Sequence, residues 1–258
     1  MTGQVRLAIA DSVAQVTLSH PGKLNAMSRG MWQELRAVFA TIQQDAALRC
    51  VVLAGEGGNF CAGGDISEYA AFRFEEASLR HFHDELVWGG LQAMLDCDVP
   101  VIAQIEGACM GAGLEIASCC DLRLASASAK FGAPIAKLGF PMAPRELALV
   151  MTAAGELSAR EMLLAAAVLD APTLVQRGFL NRVVPEAQVG EEVSASAVRV
   201  ARLAPQAARL NKQSFRALAQ VQRALAATDL VANAYAYAAS AEHREGVTAF
   251  VDKRAPQF

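Results

Sequence analysis

Apolar and polar residues alternate over positions 5–10 and again over 13–18, on either side of Asp11-Ser12. A period of two predicts a hairpin or two paired strands there. Positions 20–26 (His-Pro-Gly-Lys-Leu-Asn-Ala) read as a loop, and Ser28 stands where it caps an amphipathic helix running to about Gln44. The apolar run 49–54 predicts a buried strand that ends in the turn-rich stretch Gly55-Glu56-Gly57-Gly58-Asn59. Helical spacing returns over 75–96. A second buried strand is expected over 100–105, and the small-residue steps Gly107, Gly111 and Gly113 then lead into a helix starting at Leu114. Positions 122–125 suggest one more short strand, and 130–139 read as irregular.

The second half changes character. A helix is expected over 144–153, and Ser158-Ala159-Arg160-Glu161 reads as a capping box opening a helix to about Leu169. Positions 182–185 look extended, and from Glu186 onward the pattern is helical and alanine-rich. Strand, loop and helix recur with the glycine-rich loops at strand ends, which predicts an α/β fold with its ligand site at the strand termini. The change near residue 190 predicts a core of 1–190 and a helical region of 191–258. No low-complexity linker separates the two, so they are expected to pack together.

Composition narrows the function classes. The chain has 258 residues, 53% of them hydrophobic, enough for one large core. No apolar run approaches the roughly 18 residues of a membrane span, and the first residues lack a basic segment followed by an apolar one. Six cysteines form neither a C-x-x-C pair nor a zinc spacing. A cytoplasmic protein with buried free thiols and no metal is expected. The net charge of −3 and the scattered basic residues give no footprint for nucleic acid. The late basic residues Arg199, Arg202, Arg209, Lys212, Arg216 and Arg223 read as polar helix faces.

Glu115 is the only charged residue between Glu106 and Asp121. It follows glycines that permit close backbone approach, at a helix start whose N–H groups are unpaired and favour negative charge. The same small residues also suit tight helix-on-sheet packing, with Glu115 reaching water from the helix edge. A phosphate-binding G-x-x-x-x-G-K-[ST] is absent. Gly111-Ala112-Gly113 has Ile116 where a dinucleotide loop needs its third glycine. No G-x-S-x-G supports a serine nucleophile. His20, His81, His83 and His243 show no partner pattern and are assigned surface or helix-face roles.

Positions 60–66, Phe-Cys-Ala-Gly-Gly-Asp-Ile, resemble the F-x-A-G-x-D-[IL] segment of the crotonase (enoyl-CoA hydratase/isomerase) superfamily. Positions 107–115 resemble its G-x-x-x-G-[GA]-G-x-E segment. The stretch 20–26 and the closing Arg244-Glu245-Gly246…Phe250-Val251-Asp252-Lys253-Arg254 match in the same order, so the resemblance covers nearly the whole chain. It implies a spiral of ββα units, a C-terminal helical region that builds trimers or dimers of trimers, and an acyl-CoA substrate with no separate cofactor. By the same resemblance, the amides of Gly64 and Ala112 would hold the thioester oxygen, with Glu115 as the catalytic acid/base. Ala62, Gly63, Asp65 and Ile66 would border the adenine. Gly111 and Phe250 complete the CoA-binding set, and Lys23 and Lys253 would meet the phosphates, Lys253 from a neighbouring subunit.

One departure limits the reading. The family's second catalytic glutamate follows F-G-x-P, but after Phe131-Gly132-Ala133-Pro134 this chain has Ile135, which carries no proton. Hydration of a 2-enoyl-CoA, in fatty-acid or amino-acid breakdown, is the first expectation. Isomerisation or decarboxylation on one carboxylate, and CoA-thioester binding with little turnover, are the alternatives. Glu146, Glu85 and Glu68 are candidate substitute acids, and Tyr69, Phe72 and Phe74 are candidates for either the acyl pocket or the core.

Overall fold

The computed structural model describes residues 2–223 and 234–257. Strands β1 (Gln4–Ala10) and β2 (Val13–Ser19) form the expected hairpin, paired antiparallel from Gln4↔Ser19 to Ala10↔Val13. The main sheet continues through β3 (Cys50–Gly55), β4 (Val101–Ile105), β6 (Leu122–Ser126) and β9 (Arg182–Val184). Its order is β1-β2-β3-β4-β6-β9, parallel from β2 onward. A small sheet stands beside it, built from β5 (Ala108–Met110), β7 (Lys130–Gly132) and β8 (Val168–Asp170) in the order β5-β7-β8.

Parallel strands joined by helical crossovers are covered on both faces, and the strand residues divide accordingly. Val51, Leu53, Val101, Ala103 and Ile105 point into the large core with Leu35 and Phe39 of α1 (Arg29–Gln44) and Leu91 of α3 (Trp88–Asp96). The alternate residues Cys50, Val52, Ile102 and Leu124 meet Val189, Val193 and Ala197 of α8 (Val189–Ala201) on the opposite face. Ser28 caps α1, its hydroxyl accepting from the Met31 N–H at 3.2 Å. All six cysteines are buried and free. No helix among the described residues is long and apolar enough to cross a membrane.

The helical stretch 75–96 is interrupted in a way its periodicity does not announce. It consists of α2 (Glu76–His81), a π-helical turn (Phe82–Val87) and α3. The expected irregular stretch 130–139 contains β7 and a 3₁₀ turn (Ile135–Leu138). The capping box at Ser158 does not form. Helix α5 (Pro144–Ala154) ends at Gly155, and α6 (Glu156–Leu164) begins directly after it, so Ser158 lies buried inside that helix. Residues 168–170 leave the helix to pair with β7 as β8, and α7 (Ala171–Gln176) follows. Strand pairing that buries Leu169 outweighs the local helix signal there.

The late basic residues are more than solvated helix faces. From α9 (Pro205–Arg223), Arg209 donates to the carbonyls of Asp45 and Leu48. Lys212 pairs with Asp121 at 2.8 Å, and Arg216 pairs with Asp98 at 2.8 Å. These ties hold α9 to the ends of the core strands. The Arg223 side chain and the expected helix over 224–233 lie outside the described residues.

The last helix, α10 (Ala241–Val251), closes over the 135–139 turn. A Cβ built on Gly246 would overlap the carbonyl carbon and oxygen of Leu138, and one on Gly139 would overlap the carbonyl of Glu242. Backbone cannot yield as a flexible side chain can. Gly246→Ala is therefore expected to cost about 1–3 kcal/mol, as overpacking does, and to lower Tm by about 5 °C. A thermal melt followed by circular dichroism checks this; an unchanged Tm would mean the helix is not seated here.

Candidate active site

Two loops from different strands are zipped together by main-chain bonds. The Cys61 N–H donates to Ala108 O at 2.8 Å, the Met110 N–H donates to Cys61 O at 2.9 Å, and the Phe60 N–H donates to Glu106 O at 2.8 Å. One residue further on, the Met27 N–H donates to Gly63 O and the Asp65 N–H to Met27 O, both at 2.8 Å. That alternation leaves the intervening Gly64 N–H turned away from the pairing. On the second loop the Gly111 N–H donates to Gly132 O at 2.8 Å, and Ala112 becomes the first residue of α4 (Ala112–Ser118), where no intrahelical acceptor exists. Among the described residues neither the Gly64 nor the Ala112 N–H meets an acceptor.

Glycine is required at both corners. Gly63 has φ +117° and Gly111 φ +47°, and a Cβ on Gly111 would already lie 3.6 Å from Gly63 Cα. The loops thus approach as closely as backbones can. Gly64, Ala112 and Glu115 border one cavity of about 290 Å³, with Ala62, Gly63, Ile66 and Gly111 beside them. Tyr69, Phe82, Phe140 and Met142 supply its apolar walls, and Phe250 stands at the rim, 54% exposed. A side chain at position 64 would overlap Tyr69 Oη, which keeps the phenol beside that amide. Ile135 lies in the same wall as an apolar group.

The surroundings of Glu115 favour its protonated form. Burial pushes its carboxyl up to about 8, the charge of Glu146 adds to the rise, and the Arg73 guanidinium opposes it. The remaining sequence-assigned residues divide. Lys23 Nζ pairs with Asp65 at 2.6 Å and donates to Ser67 Oγ at 2.9 Å, at the edge of the first loop. Burial acts to raise the Asp65 carboxyl, but the bonds from Lys23 and Ser67 outweigh it and hold the group below the usual carboxylate range. Lys253 is exposed beyond α10 and away from the cavity wall. Glu68 accepts from the Arg29 N–H at 2.8 Å at the start of α1, and Glu85 is exposed. Glu146 is the candidate acid that the fold brings in. It is 2% exposed in the first turn of α5, with Oε1 on His83 Nδ1 at 3.0 Å and Oε2 without a hydrogen-bond partner.

A buried polar cluster around Arg73 is absent from the sequence reading. The guanidinium lies over the Tyr69 ring at 4.4 Å and the Phe140 ring at 4.0 Å. It donates to His243 Nε2 and His83 Nε2, both at 3.4 Å, and to Tyr237 Oη at 3.3 Å. His83 and His243 lie on helical elements as expected, but His243 and His20 are buried and His83 faces the cavity, so His81 is the exposed one of the four. Burial pushes the His243 imidazole down to about 4, so it stays neutral and accepts from Arg73 while its Nδ1–H donates to Ala238 O. The one available signal was Phe72-Arg73-Phe74, a lone charge between aromatic residues.

A raised proton affinity carries a stability consequence. Because Glu115 titrates higher in the folded chain than when unfolded, the native state binds the extra proton between about pH 4.5 and 8, and stability falls as pH rises through that window. Glu115→Gln imitates the neutral acid. Its Tm is expected to match the parent near pH 5 and to exceed it by about 5 °C or more at pH 9, a difference on the order of a few kcal/mol. A constant Tm difference across that range would place the carboxyl in solvent.

The sequence model of the enoyl-CoA hydratase/isomerase family matches residues 8–258. A probable enoyl-CoA hydratase of Mycobacterium bovis is 30% identical over 246 residues, covering 95% of this chain and 94% of that protein. The crystal structure of an enoyl-CoA hydratase/carnithine racemase from Magnetospirillum magneticum is 35% identical. It superposes with a TM-score of 0.81 over 100% of this chain and 96% of that one. A methylmalonyl-CoA decarboxylase in complex with 2-nitronate-propionyl-CoA shares the fold at 23% identity, with a TM-score of 0.88 over 99% of this chain and 98% of that one. The chain is an α/β enzyme of the crotonase fold and belongs to the enoyl-CoA hydratase/isomerase family.

Proposed function

We propose that this enzyme adds water to a 2-enoyl-CoA through a thioester enolate. The observation that carries the reading is that the acceptor-free N–H groups of Gly64 and Ala112 border the same cavity as a half-buried Glu115. With the thioester oxygen between the two amides, electrons displaced by attack of water at Cβ collect on an oxygen that fixed donors already face. Preorganised donors of this kind are worth roughly 10²–10³ in rate each. Glu115 supplies the acid/base function, its raised proton affinity suiting transfer to and from carbon near neutral pH. Coenzyme A enters as part of the substrate. Ala62, Gly63, Ile66 and Gly111 line its entry with Phe250 at the rim, the paired Lys23 and Asp65 would meet the CoA beyond it, and Lys253 would reach it from a neighbouring protomer.

The names of the relatives favour hydration. They include probable enoyl-CoA hydratases and the mevalonyl-coenzyme A hydratase of Aspergillus fumigatus, 30% identical over 247 residues. Isomerisation is the second reading, favoured by Ile135 at the second-acid position, because one carboxylate is enough to move a proton between carbons. A cytoplasmic trimer or dimer of trimers fits the exposed apolar side chains Leu210, Phe215 and Leu218 along α9.

A panel of acyl-CoA thioesters incubated with the enzyme and read by mass spectrometry separates water addition, double-bond migration and loss of CO₂. Hydration of a 2-enoyl-CoA is expected to dominate and to fall about 10³-fold or more in Glu115→Gln. Equal rates for the parent and the variant would remove Glu115 from the chemistry.

A further inference from the structure

Hydration needs two proton movements, one off water and one onto Cα. Glu115 stands on the cavity wall among groups that favour its protonated form, which suits delivery to carbon. The family's usual second acid is replaced by Ile135, which leaves the water without a base. The titratable side chains on the cavity wall, among the described residues, are Tyr69, Arg73, His83, Glu115 and Lys137. Tyr69 and Arg73 are donors, and Lys137 is exposed at the mouth. His83 is left.

Its geometry is that of an oriented base. The π-helical turn Phe82–Val87 has about one more residue per turn than an α-helix, and it presents Phe82, His83 and Val87 to the cavity together. The Nδ1–H of His83 donates to Glu146 Oε1 at 3.0 Å, which leaves Nε2 with the lone pair. The imidazole is stacked on the Tyr235 ring, 5.4 Å between centroids and 18° between planes, and edged by Phe82. The Arg73 N–H meets Nε2 at 3.4 Å, a long bond that His83, on the cavity wall, would exchange for one to water in this reading. Glu146 is 2% exposed and its second oxygen is unpaired. It is a buried carboxylate kept beside an imidazole that gains positive charge when it takes a proton.

We propose that His83, oriented by Glu146, is the base that activates water opposite Glu115. This rests on the hydratase reading above. His83 Nε2 takes a proton from water as the water oxygen bonds to Cβ. The C=C electrons move to the thioester oxygen at the Gly64 and Ala112 amides, and the enolate then collapses as Glu115 gives its proton to Cα. The imidazolium returns its proton to the Glu115 carboxylate through water, which restores the starting state. Glu146 is a positioning residue and does not touch the substrate.

The test separates the two protons. At pH 9, where Glu115 is ionised, exchange of the α-hydrogens of a saturated acyl-CoA with D₂O requires Glu115 and the two amides but no attacking water. His83→Gln is expected to lose about 10²–10⁴-fold in hydration of the 2-enoyl-CoA of the same chain length, as loss of a general base does, while exchange stays within about threefold of the parent. Glu146→Gln, which leaves His83 in place, is expected to show the same split with a smaller loss in hydration. Hydration reduced less than about fivefold in His83→Gln overturns the proposal, as does a parallel fall in hydration and exchange, which would make His83 structural. A parent enzyme that exchanges but does not hydrate overturns the hydratase reading and this proposal together. A parent that does neither removes the enolate site itself.

Discussion

Everything at the site depends on the main-chain bonds between the segment after β3 and the segment after β4. Cys61 gives its N–H to Ala108 and takes one from Met110, so the two loops are registered by backbone rather than by side chains. Such bonds admit little lateral play, and glycines with positive φ at 63 and 111 let the chains turn within van der Waals reach. Pairing at 61 and 63–65 commits the neighbouring amides and leaves the one at 64 uncommitted. The start of α4 does the same for the amide at 112. The unpaired donors result from the pairing around them.

Around this backbone frame the protein keeps charge in an apolar place. Arg73 and Glu146 are withdrawn from water, Glu115 is half-buried beside them, and burying charge is costly unless it is hydrogen-bonded and compensated. Compensation here is relayed: carboxylate to imidazole to guanidinium, with the Tyr69 and Phe140 rings beside the guanidinium. Glu115 lies outside that relay, and its surroundings raise its proton affinity instead. The cluster draws on the turn after the first loop, the π-helical turn, α5, the segment before α10 and α10 itself. The packing of α10 over the 135–139 turn is therefore also part of the site.

The sequence carried the elements whose signal is local. Ser28 caps α1, the β1–β2 alternation pairs as a hairpin, and the apolar runs at 50–55 and 101–105 are neighbouring parallel strands. It also carried the two glycine segments, because positive φ and close backbone approach leave residue types that can be read directly. Where a local signal met a tertiary demand, the tertiary demand won. Ser158 has the composition of a cap but lies inside α6, and the expected end of its helix is a strand bound to β7.

What the chain determined by itself was therefore which loops bend and that a lone acid follows them, while the choice of amides came from the family resemblance. Only the tertiary structure decided which acid and which imidazole join that acid. Glu146 and His83 are 63 residues apart, and Arg73 and His243 are 170 apart. No periodicity links such positions, because their proximity is set by how the helices stack on the sheet and not by any property of the segments in isolation. The proton affinity of Glu115 follows the same rule, since burial and a neighbouring charge exist only once the chain has folded around it.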